Sequence, residues 1–422
     1  MRFIALIFRA YFLCLNWVFM PKDENKTNKN FSVKSTEQFK SFLQSPQKQV
    51  TILILFVISF VLLIYILFPL FISTAYKVNV NEVKSKIDNF YSQDTKKFSL
   101  LRLSDTNYDY TNDFQVVKIK DNNILILGQD GNDIFIPEKF CSKKFENKIR
   151  IINNNHLSYN VAIYTESNDL IYVSRNGIYK YNFDTKKIMP ILSQQKMFTS
   201  VFNKFNLQEL SNGNVLITGT GKNDCFLWNI QHNNLEKLSN MTEERVGYST
   251  ILMPDGNVLF IGGTNKIKEK NTNGEVIQDN KYINSIEEFD VTTKKFRVYD
   301  SSSEYSSPKL FLVKNKIIII QPYKNKIDIY NYLTKKLIKS IDVDFEIKSS
   351  NLIVKITDDN ILILGANSEP KNIFSLNKGI VSFKSDISYR DYINSKGILL
   401  NNNLLIIGGK MQNKRVDLLL YR

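Results

Sequence analysis

A short apolar strand that follows a turn and usually ends at glycine recurs seven times, and this repeat constrains the fold more than any other feature. The copies are residues 121–128, 167–174, 212–219, 255–262, 314–321, 358–365 and 401–408. Their last positions are separated by 46, 45, 43, 59, 44 and 43 residues. This period is typical of a β-propeller, in which each repeat is one four-stranded sheet that cannot bury both faces alone. Unrelated strands of a β-sandwich would not hold intervals this even.

The copy at Thr242–Gly263 shows how one blade is built. Two apolar strands flank Asp255-Gly256, a dipeptide that readily takes the positive φ of a tight hairpin, and the second strand, Val258–Ile261, runs into two glycines. Downstream, Phe289 and Phe296 bracket a polar turn and predict a second hairpin. Two hairpins give the four strands of one blade.

The second hairpin also repeats, with an aromatic residue seven positions before an apolar one. The further copies are Tyr181 with Ile188, Trp228 with Leu235, and Tyr330 with Leu337. Because these aromatics occupy one fixed place in each repeat, we interpret them as core between the sheets rather than as a ligand platform.

The two ends of the repeat array are complementary. Tyr91–Phe98 has the second-hairpin pattern without a preceding strand, while Val416–Tyr421 reads as a third strand with nothing after it. Residues 90–104 are therefore expected to complete blade 7 and close the ring, which removes an open sheet edge. The one long interval contains Thr264–Tyr282, which we predict as a loop projecting from blade 4.

Several of these residues resemble a kelch repeat: Arg245-x-Gly247-x-Ser249, the Asp255-Gly256 turn, the apolar run into Gly262-Gly263, and the spaced aromatic pair. The resemblance covers residues 90–422, although the glycine pair recurs only at Gly408-Gly409. It implies an all-β, seven-bladed kelch-like β-propeller, with a six-bladed ring as the alternative, and a structural role for the arginine. Some kelch proteins are enzymes, such as galactose oxidase and sialic acid epimerases, and many bind proteins or sugars, so the fold does not choose between them.

An uncharged segment of 25 residues, Thr51–Ala75, precedes the repeats. As a helix it would be about 37 Å long, against about 30 Å for the hydrocarbon core of a bilayer. A soluble helix does not need apolar residues on every face over such a length, so a transmembrane α-helix is predicted. The domains are then residues 1–50, an apolar segment and polar tail; residues 51–76, the membrane helix; and residues 77–422, the propeller.

The membrane topology rests on weaker signals. Residues 1–20 are apolar but contain Arg9 and Asn16, so an interfacial helix, a second span and a translation start at Met20 all stay open. The lysines close to the span are equal in number on its two sides. Counting the more distant Lys22, Lys26 and Lys29 as well favours a cytoplasmic amino terminus. We therefore expect a single-pass, possibly two-pass, protein of the cell membrane with its propeller on the non-cytoplasmic side.

The composition excludes several functions. The net charge of +15 comes from lysines scattered through an Asn- and Ile-rich chain without a compact basic run, which argues against a nucleic-acid partner. The three cysteines form no Cys-x-x-Cys pair, and Cys141 and Cys225 read as small core residues. His156 and His232 fall at non-equivalent places in their repeats and read as loop residues rather than metal ligands.

No catalytic, cofactor-binding or metal-binding residue is assigned from the sequence. Glu243, Glu244 and Arg245 precede an inner strand and could reach a pocket at one mouth of the ring, but we do not interpret them as a catalytic site. The expected function is a membrane-anchored, non-catalytic binding or scaffolding module with membrane lipid around residues 51–75 and a protein or carbohydrate ligand. The alternatives are a sugar-acting enzyme using the funnel and a structural subunit of an envelope complex.

Overall fold

The computed structural model describes residues 79–421, and within that range it leaves out residues 93–97, 112–113, 146–148, 152–160, 175–176, 194–204, 220–223, 271–275, 301–302, 366–370, 383–390, 402 and 411–412. The described residues all lie within one unit of the chain, 75–422. The predicted membrane helix, residues 51–76, therefore lies outside the described residues. Within the described part of the chain, no helix is long and apolar enough to cross a membrane.

Seven four-stranded antiparallel sheets make up the propeller, in agreement with the repeat count. Helix α1 (Val80–Ser92) and strand β1 (Phe98–Asp105) come first. Blade 1 contains β2 (Gln115–Lys118), β3 (Ile124–Leu127), β4 (Asn132–Ile136) and β5 (Cys141–Phe145). Blade 2 contains β6 (Ala162–Tyr164), β7 (Asp169–Ser174), β8 (Gly177–Asn182) and β9 (Ile188–Ser193). Blade 3 contains β10 (Phe205–Glu209), β11 (Val215–Gly219), β12 (Cys225–Asn229) and β13 (Asn234–Lys237).

The remaining blades continue the same order. Blade 4 contains β14 (Ser249–Leu252), β15 (Val258–Ile261), β18 (Ser285–Asp290) and β19 (Lys295–Asp300), with β16 (Thr264–Lys270) and β17 (Val276–Tyr282) inserted. Blade 5 contains β20 (Lys309–Val313), β21 (Lys316–Gln321), β22 (Lys326–Asn331) and β23 (Lys336–Asp342). Blade 6 contains β24 (Leu352–Lys355), β25 (Asn360–Leu364), β26 (Asn372–Ser375) and β27 (Gly379–Ser382). Blade 7 contains β28 (Lys396–Leu400), β29 (Asn403–Ile407) and β30 (Arg415–Tyr421), with β1 as its outer strand.

Each repeated apolar unit is the second strand of its blade, and it is buried on both faces. In β21, Ile317 and Ile319 pack toward blade 4 while Ile318 and Ile320 pack toward blade 6. All four isoleucines are fully buried. Side chains alternate between the faces of a strand, so a continuous apolar run is what a sheet covered on both sides requires.

The predicted second hairpins are confirmed at residue level. Phe289 pairs with Phe296, Tyr181 with Ile188, Trp228 with Leu235, and Tyr330 with Leu337 across the third and fourth strands. The four third-strand aromatics are all buried, so they serve as core between the blades.

Strand β1 supplies the outer strand of blade 7 by pairing antiparallel with β30, from Phe98 opposite Tyr421 to Asp105 opposite Arg415. Leu103 sits at a bulge in this pairing and is fully buried. The Tyr91–Phe98 pattern is not a hairpin, however, because Tyr91 belongs to helix α1, where its hydroxyl donates to Asn403 Oδ1 at 2.6 Å. The third strand of this blade is β30, Arg415–Tyr421, where the sequence predicted it.

Helix α1 precedes this closing strand and packs on the propeller. Asn79 caps its amino terminus by accepting hydrogen bonds from the backbone of the first turn. Val83, Ile87 and Phe90 share one face because they are spaced four and three residues apart. Val83 and Phe90 are buried in the cluster that includes Leu400 of blade 7. The sequence pattern gave no prediction of this helix.

The insertion in blade 4 is a β-hairpin rather than the predicted loop. Strands β16 and β17 pair in regular antiparallel register from Thr264 opposite Tyr282 to Lys270 opposite Val276. The pairing satisfies backbone groups that a long loop would leave to solvent. The polar, charged composition of this segment led to the prediction of a loop. A projecting hairpin is held by hydrogen bonds between its two strands, however, and these do not require an apolar face.

We predict that Leu103→Ala lowers the free energy of unfolding by about 2–5 kcal/mol, since it opens a cavity beneath the closing strand. Leu399→Ala, at an exposed position of β28, is the matched control and should change stability by less than about 0.5 kcal/mol. Denaturant titration of both variants measures the difference. Equal midpoints would mean that β1 contributes little to ring closure.

Candidate functional site

The two faces of the ring carry different turns and connections. Because consecutive strands within each blade are antiparallel, the turn between the second and third strands and the connection to the next blade lie at the same end. We call this end the connector face. The turns between first and second strands and between third and fourth strands lie on the opposite face.

Arg245 is a heavily hydrogen-bonded side chain of the connector face. Its Nη1 donates to the carbonyl oxygens of Gly262 at 3.1 Å and Ser285 at 3.0 Å, and its Nη2 donates to Ser285 Oγ at 2.7 Å. Its Nε lies 3.4 Å from Glu287 Oε2, and its Nη2 lies 3.3 Å from Glu243 Oε2. The guanidinium therefore ties the connection that enters blade 4 to the end of β15 and the start of β18.

The ion pair of Arg245 with Glu287 is fully buried. Burial lowers the pKa of Arg245, and the neighbouring charges of Glu287 and Glu243 oppose that shift. Glu287 also accepts the backbone N–H of Thr242 at 2.5 Å, and Ser285 Oγ donates to Glu243 Oε2 at 2.6 Å. Breaking such a pair from one side leaves an uncompensated buried charge, so this network holds the connection in place.

Blade 1 makes the same kind of attachment with other residues. Asp133 in β4 accepts hydrogen bonds from Asn107 N at 2.8 Å, from Asn107 Nδ2 at 2.6 Å and from the Tyr110 hydroxyl at 3.2 Å. Burial raises the pKa of Asp133, and these hydrogen bonds act in the opposite direction. The buried carboxyl thus fastens the connection that follows β1 to the body of blade 1.

These two carboxyls belong to a series at one register position of the third strand. The residues at this position, in blade order, are Asp133, Tyr179, Phe226, Glu287, Asp328, Asn372 and Asp417. An acid or amide occupies it in five successive blades, from blade 4 round to blade 1, and all five are buried. The repeats that predict the fold do not reveal this series; its signal in the sequence is one acid or amide at a constant position of the third strand.

The glycine pairs lie beside this series. Gly262 and Gly408 have positive φ values of 75° and 61°. A Cβ atom on either would collide with the backbone of the next connection, at Tyr305 and Tyr110 respectively. Glycine is required there by both conformation and contact.

Among the residues singled out from the sequence, only Glu243 and Arg245 come together, and they form the buried network rather than an open site. Glu244 and His232 are exposed, and His156 lies outside the described residues. Cys141 and Cys225 lie in different blades and form no disulfide; burial raises the pKa of the Cys225 thiol. Within the described ranges, no group of His, Cys, Asp and Glu is arranged to hold a metal ion.

The connector face also exposes aromatic side chains that sequence analysis did not find. Tyr282, at the end of β17, and Tyr323, in the turn after β21, retain 44% and 66% of their accessible surface. Lys324 Nζ lies 5.6 Å from the Tyr282 ring centroid and donates to the carbonyl oxygen of Glu304 at 2.9 Å. The Tyr323 hydroxyl is 2.7 Å from Ser349 Oγ. We call Tyr282, Tyr323 and Lys324 the aromatic surface.

We predict that Arg245→Met lowers the free energy of unfolding by about 3–5 kcal/mol, because Glu287 then keeps a buried charge without its counter-ion. Changing Glu287→Met as well should recover part of the loss, since no buried charge remains. Arg150→Met, at an exposed position, is the control. Unfolding measured in denaturant would contradict a structural role for Arg245 if the single variant were as stable as this control.

Comparison with known proteins gives the fold. No family model and no curated protein matches the chain. A streptogramin B lyase structure is similar with a TM-score of 0.55 and 12% identity, covering 77% of this chain and 98% of that one. A catalytically inactive virginiamycin B lyase from Staphylococcus aureus, with quinupristin, is similar with a TM-score of 0.53 and 10% identity, covering 76% and 99%. At such identity the likeness shows the architecture alone, and the chain is a seven-bladed β-propeller.

Proposed function

We propose that this chain is a membrane-anchored, kelch-like propeller that acts as a non-catalytic binding module for a protein partner outside the cytoplasm. The observation that carries the proposal is the aromatic surface, which is exposed beside the inserted hairpin. The ionisable groups around Arg245 on the same face are engaged with the protein itself. The face is therefore suited to recognition rather than to chemistry.

The kelch-like part of the proposal is supported by the glycine pairs and by Arg245. Gly262-Gly263 and Gly408-Gly409 all have positive φ, and Arg245 occupies the structural role that the resemblance implies. The likeness to solved lyases carries only the fold, so it does not favour their activity over binding.

The membrane-anchored part rests on the sequence. Residues 51–75 are uncharged and long enough to span a hydrocarbon core, and lipid around this segment would be the first partner. A large domain after an uncleaved span is translocated largely regardless of its own charge, which favours a non-cytoplasmic propeller.

Backbone conformation singles out Tyr323 within the aromatic surface. Its φ is +68°, a left-handed conformation that costs a bulky side chain about 1–2 kcal/mol. The turn holds it there, since Tyr323 N donates to the Ile347 carbonyl oxygen at 2.8 Å and the side chain still points to solvent. A strained, exposed tyrosine is a feature that folding alone does not require, and such strain is often stored at functional positions.

The inserted hairpin favours a protein over a carbohydrate as the ligand. Strands β16 and β17 form a two-stranded sheet of their own, so each strand has an outer edge beyond Thr264, whose backbone N–H and carbonyl bond to Val246. An extended segment of a partner can add to such an edge through main-chain hydrogen bonds. Tyrosine is enriched at protein interfaces because it supplies a large contact area at low entropic cost. The hairpin edge would supply the main-chain hydrogen bonds, and the aromatic surface would supply the contact area.

The test is site-specific photocrosslinking of the full chain in its native cell. A photoreactive residue at position 282 or 323 should give an adduct with one protein species. The same residue at position 333, which is 64% exposed on the opposite face, should not. Adducts of equal yield at all three positions, or capture of a glycan instead of a protein, would contradict the proposal.

Tyr323→Gly separates binding from folding. Glycine relieves the positive φ, so the melting temperature should stay level or rise. Loss of the aromatic anchor should weaken capture of the crosslinked partner roughly tenfold or more, the cost of truncating an interface hot spot. Leu333→Gly is the control and should leave capture unchanged. If Tyr323→Gly also leaves capture unchanged, Tyr323 is not part of the binding surface.

A further inference from the structure

The outer edge of β16 is a part of the inserted hairpin that the fold of the ring does not explain. At its base, the Thr264 N–H donates to the Val246 carbonyl oxygen at 2.8 Å, and the Thr264 carbonyl oxygen accepts the Val246 N–H at 2.9 Å. This bridge is isolated, and no described strand other than β17 pairs with β16. The edge therefore bonds an antiparallel segment at its base and continues beyond it.

The direction of the backbone groups shows which residues lie on this edge. In a strand, the N–H and carbonyl of every second residue point to the same side. Those of Thr264 point away from β17, toward Val246. The next residues in the same phase of β16 are Lys266, Lys268 and Lys270. We call these three residues the lysine edge.

The lysine edge also concentrates charge on one face of the hairpin, because alternate positions of a strand share a face. The positions opposite the lysines in β17 hold Asn280, Gln278 and Val276, and none of these is acidic. The two acids at paired positions of the hairpin, Glu269 and Asp279, fall between them in register and so belong to the other face. The lysine face is therefore the basic face.

This face meets the aromatic surface at the base of the hairpin. Tyr282 is opposite Thr264 and therefore shares the face of the lysine edge. Lys324 Nζ lies 5.6 Å from the Tyr282 ring centroid and 4.0 Å from Glu304 Oε2. A segment lying along β16 would thus reach the aromatic surface at one of its ends.

The chain itself shows the kind of residue that suits this edge. Glu244 stands two positions before Val246, and Lys266 stands two positions after Thr264. Antiparallel continuation of the bridge at Val246 therefore matches an acid to the first lysine. The internal segment goes no further, so Lys268 and Lys270 lie beyond it.

We propose that the lysine edge binds an extended acidic segment of the partner protein, which adds to β16 as an antiparallel strand with carboxylates at alternate positions. The inference rests on the proposed function, because it names the chemistry of the partner at that same surface. Main-chain hydrogen bonds hold such a strand, and residues directly opposite the lysines lie on the lysine face. Opposite charges at directly opposite positions stabilise a strand pair.

The lysine edge also selects against other strands. A second copy of β16, added antiparallel, brings lysine opposite lysine, and like charges at this position destabilise the pair. The outer edge of β17 presents Val276, Gln278 and Asn280 and makes no such choice by charge. Repulsion of the chain's own strand and attraction of an acidic one together give specificity.

The first test measures binding of short fluorescent peptides to the full chain in mild detergent, by anisotropy. One peptide alternates glutamate with threonine, and the other has the same composition with its glutamates grouped at one end. The alternating peptide should bind roughly three- to a hundredfold more tightly, because only it sets one carboxylate opposite each lysine. Equal affinities would mean that the lysines attract any polyanion, which would overturn the proposal.

Charge reversal separates recognition from folding. The chain with Lys266→Glu, Lys268→Glu and Lys270→Glu should lose the alternating glutamate peptide and bind its lysine counterpart instead. The control carries Lys186→Glu, Lys187→Glu and Lys378→Glu, which change the net charge equally at exposed positions of the opposite face. This control should bind the glutamate peptide like the unaltered chain. A reversed chain that still prefers glutamate would show that the lysine edge is not the site.

Photocrosslinking at position 282 in the native cell applies the same variants to the natural partner. The three reversals should reduce capture roughly tenfold, and the control should not. Undiminished capture by the reversed chain would reject an acidic segment while leaving the proposed binding of a protein intact. If the unaltered chain captures no protein, the proposed function itself fails, and the peptide measurement still decides the chemistry of the edge.

Discussion

The fold depends on second strands that are apolar on both faces. A strand such as β21 needs one neighbouring blade for Ile317 and Ile319 and another for Ile318 and Ile320. No blade satisfies this alone, and an open row of blades would leave apolar surface at both ends. Closure into a ring removes these ends, and the pairing of β1 with β30 joins the first described strand to the last.

Buried polar side chains attach the connections between blades to the apolar core of the ring. A buried acid or amide on the third strand of five blades replaces the aliphatic residue that packing alone would favour. In blades 1 and 4 the carboxyl accepts hydrogen bonds from the incoming connection, so each connection enters at a defined place. In blades 2 and 3 the equivalent position holds Tyr179 and Phe226 instead of an acid or amide. The way in which a connection is attached therefore differs from blade to blade.

These internal attachments decide where function can reside. The groups that carry chemistry on the connector face, such as Arg245 and Asp133, are occupied by backbone and neighbouring side chains. The aromatic surface proposed for binding lies on the same face, at the end of the inserted hairpin and in the turn after β21, outside the repeated core positions. A binding surface at such positions leaves the structural framework unchanged.

The sequence by itself determined the number of blades and the second strand of each, because hydrophobic periodicity and turn glycines are local signals. It also indicated the aromatic partners within the second hairpins, such as Phe289 and Phe296, whereas the structural role of Arg245 was implied only by the resemblance to a kelch repeat. Only the tertiary structure decided which groups bond that arginine, since Glu287 lies 42 positions away. The hairpin of the insertion and the helical state of Tyr91 are local structures, but neither contains the apolar strand pattern on which the sequence predictions rested, so only the structure showed them.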